Sequence, residues 1–183
     1  MIFDIPCVIF AGGKSSRMGQ DKALLTFRGK PLALYQYERL KPLFKKTYIS
    51  TKDDKFDFDA EFIYDKTSLY APMPVIGQIL EDMGDFFAIS VDTPFIDEKI
   101  ISKIVEADKE CEAIVAKTTR PHPLIGIYKK SFLPRLNSAI NAKNLKLNSL
   151  LKKADTVYVE FEEEDSFLNL NYPKDFQKAL KIL

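Results

Sequence analysis

The segment Phe10-Ala11-Gly12-Gly13-Lys14-Ser15-Ser16-Arg17-Met18-Gly19-Gln20-Asp21-Lys22 gathers the residue types that bind a phosphate chain. Adjacent glycines let backbone N–H groups turn toward an anion with no Cβ in the way. Ser15 and Ser16 add hydroxyl donors, while Arg17 and Lys22 add positive charge at a spacing that can bracket phosphates. The apolar run Ile5–Phe10 before it reads as a buried strand, and a strand leading into a basic glycine turn is where an α/β protein holds a nucleotide. A P-loop would need glycine where Val8 stands, and glycines at 12, 13 and 19 do not make Gly-x-Gly-x-x-Gly, so neither fingerprint applies. Alone, the double glycine would read as a structural turn. The ordered Ser, Arg, Met-Gly and Asp-Lys that follow favour a phosphate site.

Two further groups carry polar chemistry. Asp92, in Val91-Asp92-Thr93-Pro94, follows the most apolar run of the chain. A carboxylate at such a strand end needs a partner. Facing a triphosphate, that partner is Mg²⁺, which takes one or two protein carboxylates and completes its shell with phosphate oxygens and water. The competing reading is that Asp92 caps the turn into the next helix. Asn169 and Asn171 alternate on an extended segment, so they point the same way and can clamp a polar ligand by paired hydrogen bonds. A turn residue at 169 and a helix cap at 171 would account for them equally well.

The elements that must position these groups alternate along the chain. Strands are expected at Ile5–Phe10, Thr47–Thr51, Glu61–Tyr64, Phe86–Val91, Ala113–Ala116, Leu124–Tyr128 and Thr156–Phe161. Helices are expected from Pro31 to about Lys41, over Pro74–Met83 with Gly84 closing it, and from an Asp97 cap to about Asp108. Ser131–Asn141, Leu147–Lys152 and Pro173–Leu183 complete the helical set, and Lys117–Pro123 reads as a turn-rich connection. This order predicts an α/β protein: a three-layer α/β/α sandwich with a mainly parallel, mixed sheet whose antiparallel strand comes late in the chain. The strand ends then gather the glycine loop, Asp65 and Asp92 on one edge.

Composition bounds the function. The 183 residues suit one domain spanning 1–183. They are 46% hydrophobic and 29% charged, with a net charge of +1, so no bulk basic field exists for nucleic acid or an acidic membrane. Apolar runs are too short to span a bilayer and no signal peptide is evident, so a cytoplasmic location is expected. Cys7 and Cys111 read as small buried hydrophobes in strands. With one histidine and no cysteine cluster, a zinc site is not expected.

The three motifs together resemble the molybdenum cofactor guanylyltransferase (MobA-type) family of glycine-loop nucleotidyltransferases. Residues 10–22 match its Leu-Ala-Gly-Gly-x-Ser-x-Arg-Met-Gly-x-Asp-Lys pattern except that Phe10 replaces leucine. Asp92-Thr93-Pro94 matches its Asp-x-Pro element, and Asn169 to Asp175 match its closing Asn-x-Asn-x-Pro-x-Asp. The resemblance implies a nucleotide-diphospho-sugar transferase-like fold. It implies transfer of GMP from GTP to the phosphate of molybdopterin in its molybdenum-loaded form, with Mg²⁺, releasing pyrophosphate and forming molybdopterin guanine dinucleotide. It implies that Phe10, Ala11, Gly12, Gly13 and Asp65 contact the nucleotide, and that Arg17 and Lys22 neutralise phosphate charge. Asp92 would hold Mg²⁺, with Asn169, Asn171 and His122 on the pterin side. Molybdoenzyme apoproteins or other cofactor-assembly proteins are the implied recipients of the product.

Departures from the family pattern fall near the expected base. Met73-Pro74-Val75-Ile76-Gly77 stands for Gly-Pro-Leu-x-Gly, and Ser50, Thr51 or Lys52 for an asparagine after the second strand. A molybdopterin cytidylyltransferase therefore stays open. So does another glycine-loop nucleotidyltransferase, though the chain lacks room for the extra segments of the sugar-1-phosphate enzymes. From a different class, a non-catalytic nucleotide sensor or adaptor would bind without turnover. His122, a lone histidine between two prolines, reads either as a loop residue or as a cleft contact.

Overall fold

Phe3–Phe10 (β1) carries apolar side chains on both faces, as a strand covered on both sides must. The computed structural model describes residues 2–12, 21–171 and 175, and begins with this strand. A short hairpin follows, Thr26–Phe27 (β2) and Lys30–Pro31 (β3). Its turn residues Arg28 and Gly29 both have positive φ, at 52° and 78°. That is the backbone of a primed two-residue turn, which the Arg-Gly pair signals only weakly in sequence. Then come Leu32–Leu40 (α1), Phe44–Thr51 (β4), Phe62–Tyr64 (β5), Pro72–Met83 (α2) and Phe86–Ser90 (β6). Glu98–Glu106 (α3), Ala113–Lys117 (β7), Pro121–Tyr128 (β8), Leu133–Asn141 (α4), Leu147–Leu151 (α5) and Thr156–Glu160 (β9) complete the described strands and α-helices.

Seven strands form one sheet in the order β5-β4-β1-β6-β8-β7-β9. β8 runs antiparallel to both β6 and β7, and every other pairing is parallel. Helices α1 and α3 cover one face through Leu32, Leu40, Ile100, Ile101 and Ile104, packed on Cys7, Ile9, Phe87 and Ile127. Helices α2, α4 and α5 cover the other through Met73, Ile76, Leu136 and Leu150, packed on Val8, Phe10, Phe86 and Tyr128. The expected three-layer α/β/α sandwich with a mixed, mainly parallel sheet is the fold observed.

Several boundaries shift for physical reasons. Asp97 caps α3 as expected, accepting from the Ile100 N–H at 2.9 Å. Gly84 closes α2 with φ of 83°. The early prolines Pro72 and Pro74 belong inside α2's first turn, which extends the helix two residues upstream of the expected start. Cys111 is buried but precedes β7 instead of lying in it. The largest correction is Lys117–Pro123. Residues 118–120 alone make the connection, and Pro121, His122 and Pro123 lie within β8, where the ladder to β7 slips register between Val115 and Ala116. The expected helix Pro173–Leu183 lies outside the described residues apart from Asp175.

Two glycines are set by close approach. A Cβ on Gly77 would come within 3.2 Å of Leu136 Cδ2, so this glycine lets α2 lie close against α4. A Cβ on Gly126 would fall 2.1 Å from the Ile114 carbonyl oxygen and 2.9 Å from Val115 Cα, beside the slip in the β7–β8 ladder. Gly126→Ala therefore forces backbone apart in the sheet centre. We expect a loss near the upper end of the about 1–3 kcal/mol that overpacking costs. The measurement is the thermal unfolding midpoint, which should fall by several degrees; an unchanged midpoint would contradict the assigned contact.

Candidate active site

The register of the parallel strands builds the floor of the site. Phe10 of β1 is level with Ser50 of β4 and with Ser90 of β6. The chain leaves β1 to pair on one side with β4 and later on the other with β6, so the crevice at these carboxyl ends is a topological switch point. Phe10, Gly12, Ser50 and Ser90 line one end of a cleft there, with Thr51, Lys52, Asp65, Tyr70, Pro72 and Val75. Because β8 is antiparallel, its N-terminal end reaches the same edge. Ser90 and Leu124 border a second hollow holding Asp92, Arg120, His122, Asn148, Asn169 and Asn171. The cleft continues past His122 and Asn171 to Thr118, Glu164 and Asp175.

Asp92 lies in the second hollow, two residues beyond the shared Ser90. Its carboxylate Oδ2 pairs with Lys22 Nζ at 2.9 Å, and its Oδ1 accepts from Ser90 Oγ at 2.6 Å. The Lys22 ammonium also donates to Asn171 Oδ1 at 2.7 Å. Lys22 begins a single 3-10 turn whose cap is Asp21, with its carboxylate accepting from Ala23 N–H at 3.0 Å. Asp92's own carbonyl accepts from Leu170 N–H at 2.9 Å, which lays the Asn169–Asn171 segment across the β6 end. Three of the residues singled out in sequence, Lys22, Asp92 and Asn171, thus meet through one ammonium group. Asn169 Oδ1 is buried with no hydrogen-bond partner among the described residues, and its residue lines the cleft.

The remaining expectations divide. Ala11 continues β1, its N–H donating to Ser50 O at 2.9 Å. Asp65 lines the cleft, but both its oxygens are engaged: Oδ2 pairs with Lys52 at 3.2 Å and Oδ1 accepts from Thr67 N–H at 2.8 Å. Lys52 also donates to Thr67 O at 2.7 Å and lies 4.4 Å over the Tyr70 ring. Gly13 and Arg17 lie outside the described residues. His122 is in strand β8 and not in a loop. It is buried, hydrogen-bonded at 2.9 Å to Thr118 Oγ1, and packed against Phe167 with ring centroids 4.7 Å apart and planes tilted by 33°.

Sequence reasoning missed Ser90, Lys55 and Thr118. Lys55 reaches Ala11 O at 3.2 Å and Asp21 Oδ2 at 2.5 Å, joining both feet of the glycine segment. A serine ending an apolar run two residues before an aspartate was the readable signal for Ser90. Lys55 lies in an irregular connection that no periodicity marks. Among the described residues, no three His, Cys, Asp or Glu side chains converge as a metal cluster. No described helix is long and apolar enough to cross a membrane.

Comparison with known proteins places this geometry. Residues 7–157 match the family model of the MobA-like NTP transferase domain. The chain belongs to this family of nucleotidyltransferases. A molybdenum cofactor guanylyltransferase of Helicobacter pylori (strain G27) is 37% identical, across 100% of this chain and 95% of its own length. One from Campylobacter jejuni subsp. jejuni (serotype O:6) is 36% identical across 96% of this chain and 95% of its own. Among solved structures, the molybdopterin-guanine dinucleotide biosynthesis protein A of Archaeoglobus fulgidus superposes with a TM-score of 0.82 at 25% identity. That match covers 97% of this chain and 98% of the other. A CMP:2-keto-3-deoxy-manno-octonic acid synthetase complexed with CTP, 14% identical with a TM-score of 0.79, shares the fold.

Burial and the nearby Arg120 charge push the His122 pKa down from 6.5 to about 4. The imidazole is therefore neutral in the folded chain at neutral pH. The unfolded chain takes up this proton first as pH falls below 6.5, so His122 lowers stability progressively between there and about 4, and has no such effect above that window. Since the chain has a single histidine, its ring resonances in a proton NMR titration need no assignment. A midpoint near 4 is expected, and one near 6.5 would contradict the buried placement.

Proposed function

We propose that this chain transfers GMP from GTP to the terminal phosphate of molybdopterin, giving molybdopterin guanine dinucleotide and pyrophosphate. The observation that carries the reading is one cleft with two differently lined ends that share Ser90 and Leu124, and Asp92 in the second, joined through Lys22 to Asn171. The end lined by Phe10, Gly12, Ser50, Lys52, Asp65 and Tyr70 suits a nucleoside: an apolar slot with few polar groups. The other end, with Asn148, Asn169, Asn171, His122 and Arg120, is richer in amide and cationic donors and suits a polar pterin phosphate. Full-length similarity to guanylyltransferases of two bacteria supports GTP as donor.

In this reaction an oxygen of the acceptor phosphate forms a bond to the α-phosphorus of GTP, and the bond to the β-phosphate oxygen breaks. Pyrophosphate leaves with that electron pair. The work of the protein is positioning and charge neutralisation. Lys22 holds its ammonium against Asp92 and Asn171, which both line the acceptor end. Asn169, whose buried side-chain oxygen has no hydrogen-bond partner among the described residues, lines the acceptor end. Neutral His122 offers a ring nitrogen without adding charge.

The residues present fit one hard divalent cation. Among the described residues each Asp92 oxygen accepts one hydrogen bond, from Lys22 or Ser90, and a carboxylate offers about four acceptor sites in all. A single carboxylate is what Mg²⁺ requires when phosphates and water supply the rest. Asp92 would hold it, and bound Mg²⁺ would offset the charge of the triphosphate and leaving pyrophosphate.

The test is incubation of the protein with Mg²⁺, molybdopterin and each nucleoside triphosphate separately, with mass analysis of the pterin product. Formation of the guanine dinucleotide with GTP and not with CTP is expected. The cytosine product would make the protein a cytidylyltransferase, and binding without pyrophosphate release would make it a sensor or adaptor. Asp92→Asn should lower turnover by about a hundredfold or more while leaving the circular dichroism spectrum unchanged. Full activity in that variant would sink the metal assignment.

A further inference from the structure

Helix α1 carries a polar residue where its apolar stripe should continue. Gln36 is fully buried among Leu32, Ala33, Tyr37 and Leu40. A buried carboxamide costs free energy unless hydrogen-bonded, and an aliphatic side chain would sit there without that cost. Its bonds go to one place. The amide nitrogen donates to Ser90 O at 3.4 Å and Val91 O at 3.3 Å. The amide oxygen accepts from Arg39 Nε at 3.1 Å and Nη2 at 2.6 Å, one turn along the helix. Partner chemistry dictates this orientation, because carbonyls accept and a guanidinium donates. Arg39 Nη1 in turn donates to Ile96 O.

The three carbonyls held this way bracket Asp92. Ser90 and Val91 precede it and Ile96 closes the turn after it. The turn has few other backbone bonds: Thr93 N–H and Oγ1 return to Ser90 O at 3.3 and 2.8 Å, Val91 N–H donates to Phe10 O at 3.1 Å, and Asp92 O accepts from Leu170 N–H at 2.9 Å. From these observations we propose that Gln36 and Arg39 form a clamp that positions the Asp92 carboxylate from behind. Neither residue lines the cleft, so both act through the turn and are positioning residues. The inference rests on the assignment of Asp92 to the reacting centre. A reacting group displaced by about 1 Å can lose about a hundredfold in rate, so a clamp on its backbone is read in kcat.

The decisive variant is Gln36→Glu, which keeps the volume and the acceptor for Arg39 but removes the donor to Ser90 and Val91. It is compared with wild type by guanylyl-transfer kinetics and by amide hydrogen exchange. We expect kcat to fall about tenfold or more with KM for GTP within about threefold of wild type. Exchange at residues 91–93 should quicken while the β4 amides keep their wild-type rates. Arg39→Lys should lose less than Arg39→Met, since lysine retains a donor for Ile96 O. Wild-type kcat and exchange in Gln36→Glu would overturn the clamp, as would exchange accelerated equally across the whole sheet, which marks general loosening. If Gln36→Glu does not fold, Gln36→Met removes the same donor within similar volume and is read the same way. Should the wild-type protein form no product, the functional reading fails, and local exchange at 91–93 still decides whether the clamp exists.

Discussion

A carboxylate at the inner end of an apolar strand has to be neutralised or hydrogen-bonded, and the rest of this site is arranged around that requirement. Strand β6 delivers Asp92 to the sheet edge with its side chain only 13% exposed. Lys22, itself 17% exposed, answers the charge from 70 residues earlier in the chain. Asn171 is 149 residues from Lys22 and shares the same ammonium. One charge pair thereby fixes the end of the glycine segment, the end of the central strand and the polar segment near residue 170 in a single relation. Removing either partner leaves a part-buried charge uncompensated, which costs far more than the pair itself contributes to stability.

The direction of β8 extends the site beyond a nucleotide pocket. In an all-parallel sheet only carboxyl ends would reach this edge. The antiparallel β8 brings its N-terminal Pro121 and His122 there instead, with Arg120 of the preceding connection, and all three line the hollow that holds Asp92. Gly126 allows β8 to lie against β7 at the register slip, and Thr118 and Phe167 hold the imidazole from the two sides. The same edge thus presents two differently lined hollows, which the proposed transfer between two phosphates requires and a simple nucleotide-binding module does not.

Much of this was legible because it follows from local rules. The apolar runs, the Asp97 cap and the Gly84 closure are short-range signals, and the structure reproduces them. The carboxylate after the most apolar run and the alternating asparagines marked the site because polar groups at strand ends need partners. What escaped depends on which strands become neighbours. His122 reads in sequence as a loop residue or a cleft contact and not as part of a strand, and only the slipped pairing with β7 shows how β8 accommodates the two flanking prolines. Gln36 carries no sequence signal, because nothing local reveals that Ser90 and Val91 lie within its reach. Lys55 reads as surface charge until Asp21 and Ala11 are seen within its reach.

The central claim is that Lys22 and Asp92 act as one unit in transfer. It is tested most directly by a double-mutant cycle on kcat, using Lys22→Ala, Asp92→Asn and the two combined. If the pair is a unit, the double variant should be slow to within about threefold of the slower single variant, because residues that act together lose their effect together. Losses that multiply across the two substitutions would show that the residues act independently and would contradict the account.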